Sequence, residues 1–327
     1  MLSPNQTQSL LVLACVLLTA MTSGVVSAQQ DAQFTQFDND KLTFSPAYAG
    51  AKGYPAVSAL ARRQWVGLEG APASHALRFH TPIAQTRLGL GLRVHDDVVG
   101  PTRSSGAGLG IAYHLPVGTY TSLSLGLDAS ATHYRVDWTV LRGSDSGSGA
   151  TAPDGDGTAA RLLGNVGAGA MLYSDRFYVG LSAPRLLRNT LTDALEGIGA
   201  PGREALHLYA MAGYDARLGV DYRLRPNLLV KYVVNAPLSV DLNALVVWRE
   251  RLGAGLGFRT GSADYTRAGG ESFSVHMRVM PDERLTIGGA YDYTLTRLGD
   301  YSSGTFELLA AYTLVMDRNK IQTPRYF

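Results

Sequence analysis

The sequence of 327 residues has one cysteine, four lysines and, after its first 28 residues, no long apolar run. Cys15 lies within the apolar stretch 10–21, which is followed by small residues at 26–28. This pattern is typical of a signal peptide that is removed after residue 28. Since apolar sequence continues on both sides of Cys15, we interpret it as part of that peptide and not as a lipidation site. Its removal excludes disulfides and thiol chemistry from the remaining chain.

The missing apolar runs and the balanced charge exclude further classes of protein. No segment after residue 28 approaches the ~20 apolar residues that a membrane-spanning helix needs, so any membrane span must be a β-strand. The net charge is only +2, and no basic block stands out, so nothing indicates a partnership with nucleic acid. No break in composition divides the chain, which favours one domain.

Strict alternation is the clearest pattern that the sequence does contain. Between residues 206 and 222 every even position is apolar, and most odd positions are polar, charged or glycine. A period of two places alternate side chains on opposite faces of a β-strand. The alternation recurs about fourteen times, and no helical segment could cover the apolar faces. The sequence therefore predicts an all-β fold, a transmembrane up-and-down antiparallel β-barrel of about fourteen strands.

The fourteen predicted strands lie at residues 56–65, 73–81, 87–95, 107–115, 122–138, 164–173, 176–183, 206–222, 228–234, 239–248, 252–260, 272–280, 284–293 and 305–314. Short connections such as 223–227 and 249–251 are expected in the periplasm, and long polar ones such as 142–158 are expected outside the cell. Both chain ends should then be periplasmic. Inward charges should pair across strands in a wet interior; they are Arg78, Arg93, Lys231, Asp241, Arg259, Arg278 and Glu307.

Three patterns invite a chemical role, but a structural reading suits each better. The spaced glycines at 106–110 and 253–257 lie within strands, whereas a dinucleotide site needs them between a strand and a helix. Asp145, Asp154 and Asp156 resemble part of a calcium loop but lack its full spacing and its terminal glutamate, so we interpret them as a solvated loop. The seven histidines are scattered and favour hydrogen bonding in the lumen. We expect no catalytic residue, no cofactor and no metal.

Short motifs after residue 28 resemble a known family. They are QDAQFTQF at 30–37, SPAYAG at 45–50, RQWVG at 63–67 and GAP at 70–72. This order resembles the opening of the PorP/SprF family of type IX secretion system outer-membrane proteins, with Ala32 in place of the usual proline and Ser45 in place of the usual asparagine. Later stretches are similar too, so the resemblance covers nearly all of the chain after residue 28. The residues that carry it are Asp31, Gln33, Phe34, Pro46, Ala47, Tyr48, Ala49, Gly50, Arg63, Gln64, Trp65, Gly70, Ala71 and Pro72.

The resemblance implies a non-enzymatic component of the type IX secretion and gliding apparatus of Bacteroidota, integral to the bacterial outer membrane. Its implied role is to assist the export or surface anchoring of a secreted adhesin-type partner. The implied partners are that adhesin, other type IX components and outer-membrane lipid. Two alternatives stay open on the residues alone. One is a passive channel or hydrophobic-solute transporter, since fourteen strands enclose more space than side chains alone can fill. The other is an integral membrane hydrolase.

We divide the chain into a signal peptide at 1–28, an N-terminal segment at 29–55, the barrel at 56–314 and a tail at 315–327. Residues 29–50 do not alternate and are rich in aromatics, so we predict a plug in the periplasmic mouth; an exposed tail is the alternative. The long loop 184–203 is unusually apolar and predicts a partner-binding surface, the alternative being a short helix over the barrel mouth. The apolar residues of this loop are Leu186, Leu187, Leu191, Leu195 and Ile198.

Overall fold

The protein is a β-barrel in a computed structural model that describes residues 32–137, 158–190, 204–234, 236–260 and 270–314. One short helix, α1 (Lys41–Phe44), and 3₁₀ turns at Phe37–Asn39, Pro46–Tyr48 and Arg297–Asp300 accompany the strands. The strands are β1 Ala56–Arg63, β2 Ala73–Pro82, β3 Leu88–Val99, β4 Thr102–Pro116, β5 Thr121–Asp137, β6 Thr158–Ser174, β7 Phe177–Arg185, β8 His207–Tyr214, β9 Ala216–Leu218, β10 Tyr222–Val233, β11 Ser239–Trp248, β12 Leu252–Thr260, β13 Gly270–Val279, β14 Leu285–Thr294 and β15 Thr305–Thr313.

The sheet is antiparallel throughout and closes on itself. β1 pairs with both β2 and β15, and every other strand pairs with its neighbours in chain order. β8 and β9 lie end to end along β10 and together form one barrel strand, interrupted at Asp215. The barrel therefore has fourteen strands, and the predicted architecture is confirmed. Closure matters because it leaves no strand edge without hydrogen-bond partners in lipid.

The barrel has two distinct ends. We call one the short-turn end; it carries connections such as 117–120, 175–176 and 249–251, together with the start of β1 and the end of β15. The other, the long-connection end, carries the connections 64–72 and 295–304, two shorter connections, and the strand ends that lead into residues 138–157, 186–206 and 261–269. Among the described residues no helix is long and apolar enough to cross a membrane.

Most predicted strand boundaries lie within two residues of those in the structure, and the larger differences are at the end of β3, at the starts of β4 and β6, and around residue 220. The predicted tight turn at 223–227 is wrong, because those residues belong to β10. The turn lies at 219–221 instead, where Gly219 adopts a φ of +77° that favours glycine. The uninterrupted strand predicted at 206–222 is also wrong, because it breaks at Asp215 and ends at Leu218. Apolar residues occupy the even positions on both sides of this turn and within it, so the sequence pattern did not reveal the turn.

The alternation sorts the side chains as predicted. Even-numbered residues such as Leu208, Tyr214 and Leu218 are exposed on the outer surface, whereas His207 and Tyr209 are buried inside. The same division holds in β12, where Leu252 and Leu256 are exposed. An apolar outer face and a polar inner face are the arrangement that a barrel in lipid requires.

Candidate functional site

The lumen of the barrel is occupied by residues 32–51, which we call the inner segment. It contacts strands on every side of the barrel, through Arg78 on β2, Ser124 on β5, Ser182 on β7, Asn243 on β11 and Glu307 on β15. Thr35 lies near the long-connection end, against Asp292 of β14. Gly50 lies at the short-turn end, against Thr81 and Pro82 of β2. The segment thus follows the lumen from one end towards the other, farther than the periplasmic mouth to which the sequence assigned it.

The aromatic residues of the inner segment supply its apolar core. They are buried to between 2% and 4% relative exposure and pack against inward residues of the wall. The Phe44 ring meets the Tyr209 ring edge-on at 5.4 Å, a favourable aromatic geometry. Burial of such side chains away from water stabilises the segment in place. The set is Phe34, Phe37, Phe44 and Tyr48, with Leu42 beside them.

The motif at residues 45–50 fits against wall glycines at backbone distance. A Cβ atom on Gly126 would overlap the backbone of Ala47, and one on Gly89 would overlap the carbonyl of Ala49. Gly50 has a φ of +76°, and a Cβ there would lie 2.7 Å from the Gly89 Cα atom. Small residues on both sides are therefore a steric requirement of this contact. Several glycines of the lumen thus leave room for the inner segment.

Charged side chains anchor the start of the inner segment. The Glu307 carboxylate accepts hydrogen bonds from the backbone N–H groups of Thr35, at 2.7 Å, and of Gln36, at 2.8 Å. Arg62 pairs with Asp292 at 2.7 Å and with Glu307 at 3.1 Å, and it also donates to the Thr35 hydroxyl. These groups are almost fully buried, where removal of one partner costs more than the bridge itself contributes.

Two further carboxylates of the inner segment pair with inward arginines. Arg278 donates to both oxygens of Asp38, each at 2.6 Å, in the bidentate geometry that suits guanidinium and carboxylate. Arg78 approaches Asp40 at 3.4 Å. Burial alone would raise the pKa of Asp38, but the charge and hydrogen bonds of Arg278 outweigh it and hold that pKa well below its usual range.

Lys41 is a buried amine of the inner segment. Its ammonium donates to the backbone carbonyl of Asp38 and lies 4.8 Å from the centre of the Tyr178 ring. Burial lowers the pKa of Lys41 to about 7, although the neighbouring Asp38 acts in the opposite direction. The amine is therefore partly neutral near neutral pH.

The predicted inward charges do pair, but with a broader set of partners than expected. Lys231 and Arg259 contact Asp241 across neighbouring strands, at 2.8 Å and 2.5 Å, as predicted. Arg78 and Arg278 instead face the inner segment. The sequence offered no signal for this, because Asp38 and Asp40 lie on a segment without strand periodicity. Arg93 pairs with Asp128, and Glu307 pairs with Arg62.

The other residues of the family motifs lie at the long-connection end. Arg63 ends β1, and residues 64–72 connect β1 to β2. Within this connection the backbone N–H of Gln64 donates to Pro72, while Trp65 adopts a positive φ of 47°. Gly70 accepts a backbone hydrogen bond from Gly100, which ties this connection to the next one. Ala71 lies between Gly70 and Pro72 in the same connection. Gln33 lies at the N-terminal start of the inner segment, beside a small cavity.

Some predicted residues fall outside the described part of the chain. They are Asp31, the acidic loop residues Asp145, Asp154 and Asp156, and Leu191, Leu195 and Ile198 of the candidate partner loop. The two described leucines of that loop, Leu186 and Leu187, are exposed to 45% and 48%. Within the described ranges, no cluster of three His, Cys, Asp or Glu residues could hold a metal ion.

Two small cavities lie between the inner segment and the wall in the described part of the chain. One cavity of about 80 Å³ lies beside Arg78, Arg93 and Tyr209, and one of about 20 Å³ lies beside Lys231. Such volumes admit a few water molecules at most. Two histidines of the wall also serve this packing, since the His114 Nε2 atom lies 2.8 Å from the Ala49 carbonyl oxygen and the His80 ring meets the Tyr48 ring edge-on.

A closed antiparallel barrel with an apolar exterior and a charged interior defines the class of bacterial outer-membrane β-barrel proteins. Residues 26–312 match the family described as Type IX secretion system membrane protein PorP/SprF, and the chain belongs to that family. The protein is therefore an integral outer-membrane barrel of the type IX secretion system. Among curated proteins no relative matches the sequence.

Several solved outer-membrane barrels are distantly similar to this chain. Omp33 of Acinetobacter baumannii is 12% identical with a TM-score of 0.45, over 80% of this chain and 98% of that one. The KdgM porin is 10% identical with a TM-score of 0.38, over 80% and 99%. A FadL homologue of Pseudomonas aeruginosa is 14% identical with a TM-score of 0.41, over 79% and 89%. These likenesses are too distant to bear on function.

Proposed function

We propose that this barrel is a non-enzymatic accessory that assists the export or surface anchoring of one secreted adhesin-type partner. The observation that supports this role best is the filled lumen. The inner segment is bound to the wall by buried ion pairs and by backbone packing, and two cavities beside it among the described residues measure about 80 Å³ and 20 Å³. A passive channel needs a continuous aqueous passage, so this geometry favours a partner-binding protein over a pore.

The partner would meet the barrel at the long-connection end. Loops at one end of a rigid scaffold commonly carry binding sites. Leu186 and Leu187 expose apolar surface there, at the start of the loop that the sequence singled out. Exposed apolar residues grouped on a polar surface often mark protein contacts.

Gene deletion tests this role directly. A clean deletion should abolish the surface display of one adhesin, measured by antibody labelling of intact cells, while other cargo of the same secretion system is still displayed. The paired substitution Leu186→Asp and Leu187→Asp should lower adhesin display with a normal amount of barrel in the membrane. Glu69→Gln, an exposed change in another connection at the same end, is the matched control. Normal display of every adhesin in the deletion strain would refute the role.

Single-channel recording separates the accessory from the channel. Purified wild-type protein in planar bilayers should show no steady conductance, because the lumen is occupied. A stable open pore of the intact protein would favour the channel.

A further inference from the structure

An apolar groove interrupts the outer surface of the barrel. It has a volume of about 580 Å³ and crosses β7, β8 and β10 to β13. That volume lies within the roughly 300–1,000 Å³ typical of small-molecule sites. Its floor consists of small side chains, Ala212, Pro226 and Ala244, and its walls include Phe177, Tyr214, Leu242, Leu256, Phe258 and Phe273.

The groove coincides with the break between β8 and β9. Asn227 pairs with Gly213 and Leu224 pairs with Ala216, so in this register Arg225 lies opposite Asp215 and Pro226 lies opposite Tyr214, beside the interruption. Proline has no N–H to donate to a neighbouring strand and is tolerated where the ladder is already broken. Asp215 donates its backbone N–H to the Arg176 carbonyl, at 2.7 Å, and turns its carboxylate inward. Small outward residues beside this break leave the surface concave.

The surroundings of the groove identify its occupant. The outward residues beside it, such as Val179 and Val275, belong to the exposed apolar surface that faces lipid in an outer-membrane barrel. The outer surface of a barrel is convex, so a second copy of this chain would contact the rim of the groove more readily than its floor of small residues. A single flexible hydrocarbon chain can enter it and contact both walls.

One edge of the groove also carries a suitable charge. Phe177 begins β7 and Tyr214 ends β8, so this edge lies at the short-turn end. Arg176, immediately before Phe177, is exposed there. An arginine guanidinium can form paired hydrogen bonds with a phosphate. Short turns of outer-membrane barrels lie on the periplasmic side, where the adjoining leaflet consists of phospholipid.

We propose that this groove binds one acyl chain of a phospholipid from the periplasmic leaflet, with the lipid phosphate at Arg176. This site is independent of the filled lumen and of any secreted partner. It gives the barrel a specific lipid contact beside the break between β8 and β9. Lipid in this position would shield the interrupted ladder beside Pro226.

Native mass spectrometry of the full-length protein, reconstituted with phosphatidylglycerol and then extracted in detergent, tests the site. The wild type should retain one phospholipid through mild activation. Ala212→Phe with Ala244→Phe fills the floor and should abolish this retention. Ala129→Phe, a matched change at an exposed outward alanine of β5, should preserve it. Arg176→Gln should weaken retention without altering the groove.

Folding is checked by the heat-dependent gel mobility of each variant. If the double variant does not fold, Ala244→Leu and Arg176→Gln each provide a smaller change with the same expected direction. Equal retention by all folded variants would overturn the proposal. Retention of lipid A in preference to phosphatidylglycerol, in a mixed reconstitution, would overturn the assignment to the periplasmic leaflet.

Discussion

At the scale of single residues, the close approach of Gly126 to Ala47 makes a sharp prediction. Gly126→Ala should destabilise the barrel by about 1–3 kcal/mol, because the added methyl overlaps the backbone of the inner segment and neither side can yield without moving a strand. Thermal unfolding of purified protein in detergent, followed by circular dichroism, measures the change. Gly164→Ala in β6 is the control, since a Cβ there meets no atom within 4 Å. Equal midpoints for the two variants would contradict the packing described.

Lys41 makes a second prediction at this scale, on pH dependence. Its pKa is about 7 in the folded protein against an ordinary value of 10.5, so between these values the unfolded chain holds a proton that the folded chain has lost. The free energy of unfolding should therefore rise with pH between these values. Below pH 7 the folded protein carries the buried charge, and its stability is reduced by the full cost of burying it. From pH 7 to 9 the gain should be on the order of 1–3 kcal/mol.

Lys41→Met isolates this contribution because methionine keeps most of the side-chain volume and does not titrate. Thermal midpoints of wild type and variant are compared at pH 7 and pH 9. The midpoint of the wild type should rise relative to that of the variant over this range, whichever protein is the more stable at pH 7. A constant difference between the two proteins across this range would show that Lys41 does not change its protonation on folding.

At the scale of elements, the inner segment is predicted to close the barrel to ions. Deleting residues 30–44 should raise the single-channel conductance in planar bilayers, because the aromatic core and the ion pairs with Arg78 and Arg278 then leave the lumen. A deletion of equal length within residues 138–157 is the control and should leave conductance unchanged. Only variants that show the heat-dependent gel mobility of a folded barrel are compared. An unchanged conductance in a folded 30–44 deletion would contradict the plug.

Elements differ in how far the sequence specifies them. The alternation of apolar residues was sufficient for fourteen strands, since a one-residue slip would turn every apolar side chain into the lumen. The same pattern failed between residues 215 and 222, where apolar residues continue through a turn set by Gly219. Polar residues concealed the end of β3, which continues to Val99, and the start of β4, which begins at Thr102. The partners of Arg78 and Arg278 could not be predicted, because tertiary packing alone brings Asp38 and Asp40 to the wall.

At the scale of the whole molecule, the two ends of the barrel predict its orientation in the membrane. The connections at the long-connection end include residues 138–157, dense in Gly, Ser and Asp, and those at the short-turn end are all brief. Outer-membrane barrels place short turns in the periplasm and long loops outside the cell. An epitope tag beside Gly149 should therefore be labelled by antibody on intact cells, whereas a tag in the turn 117–120 should be labelled only after the outer membrane is permeabilised. The two insertions lie at opposite ends of the barrel, so labelling in the opposite order would invert the topology. It would also invert the leaflet that meets Arg176 and the face on which a secreted partner could bind.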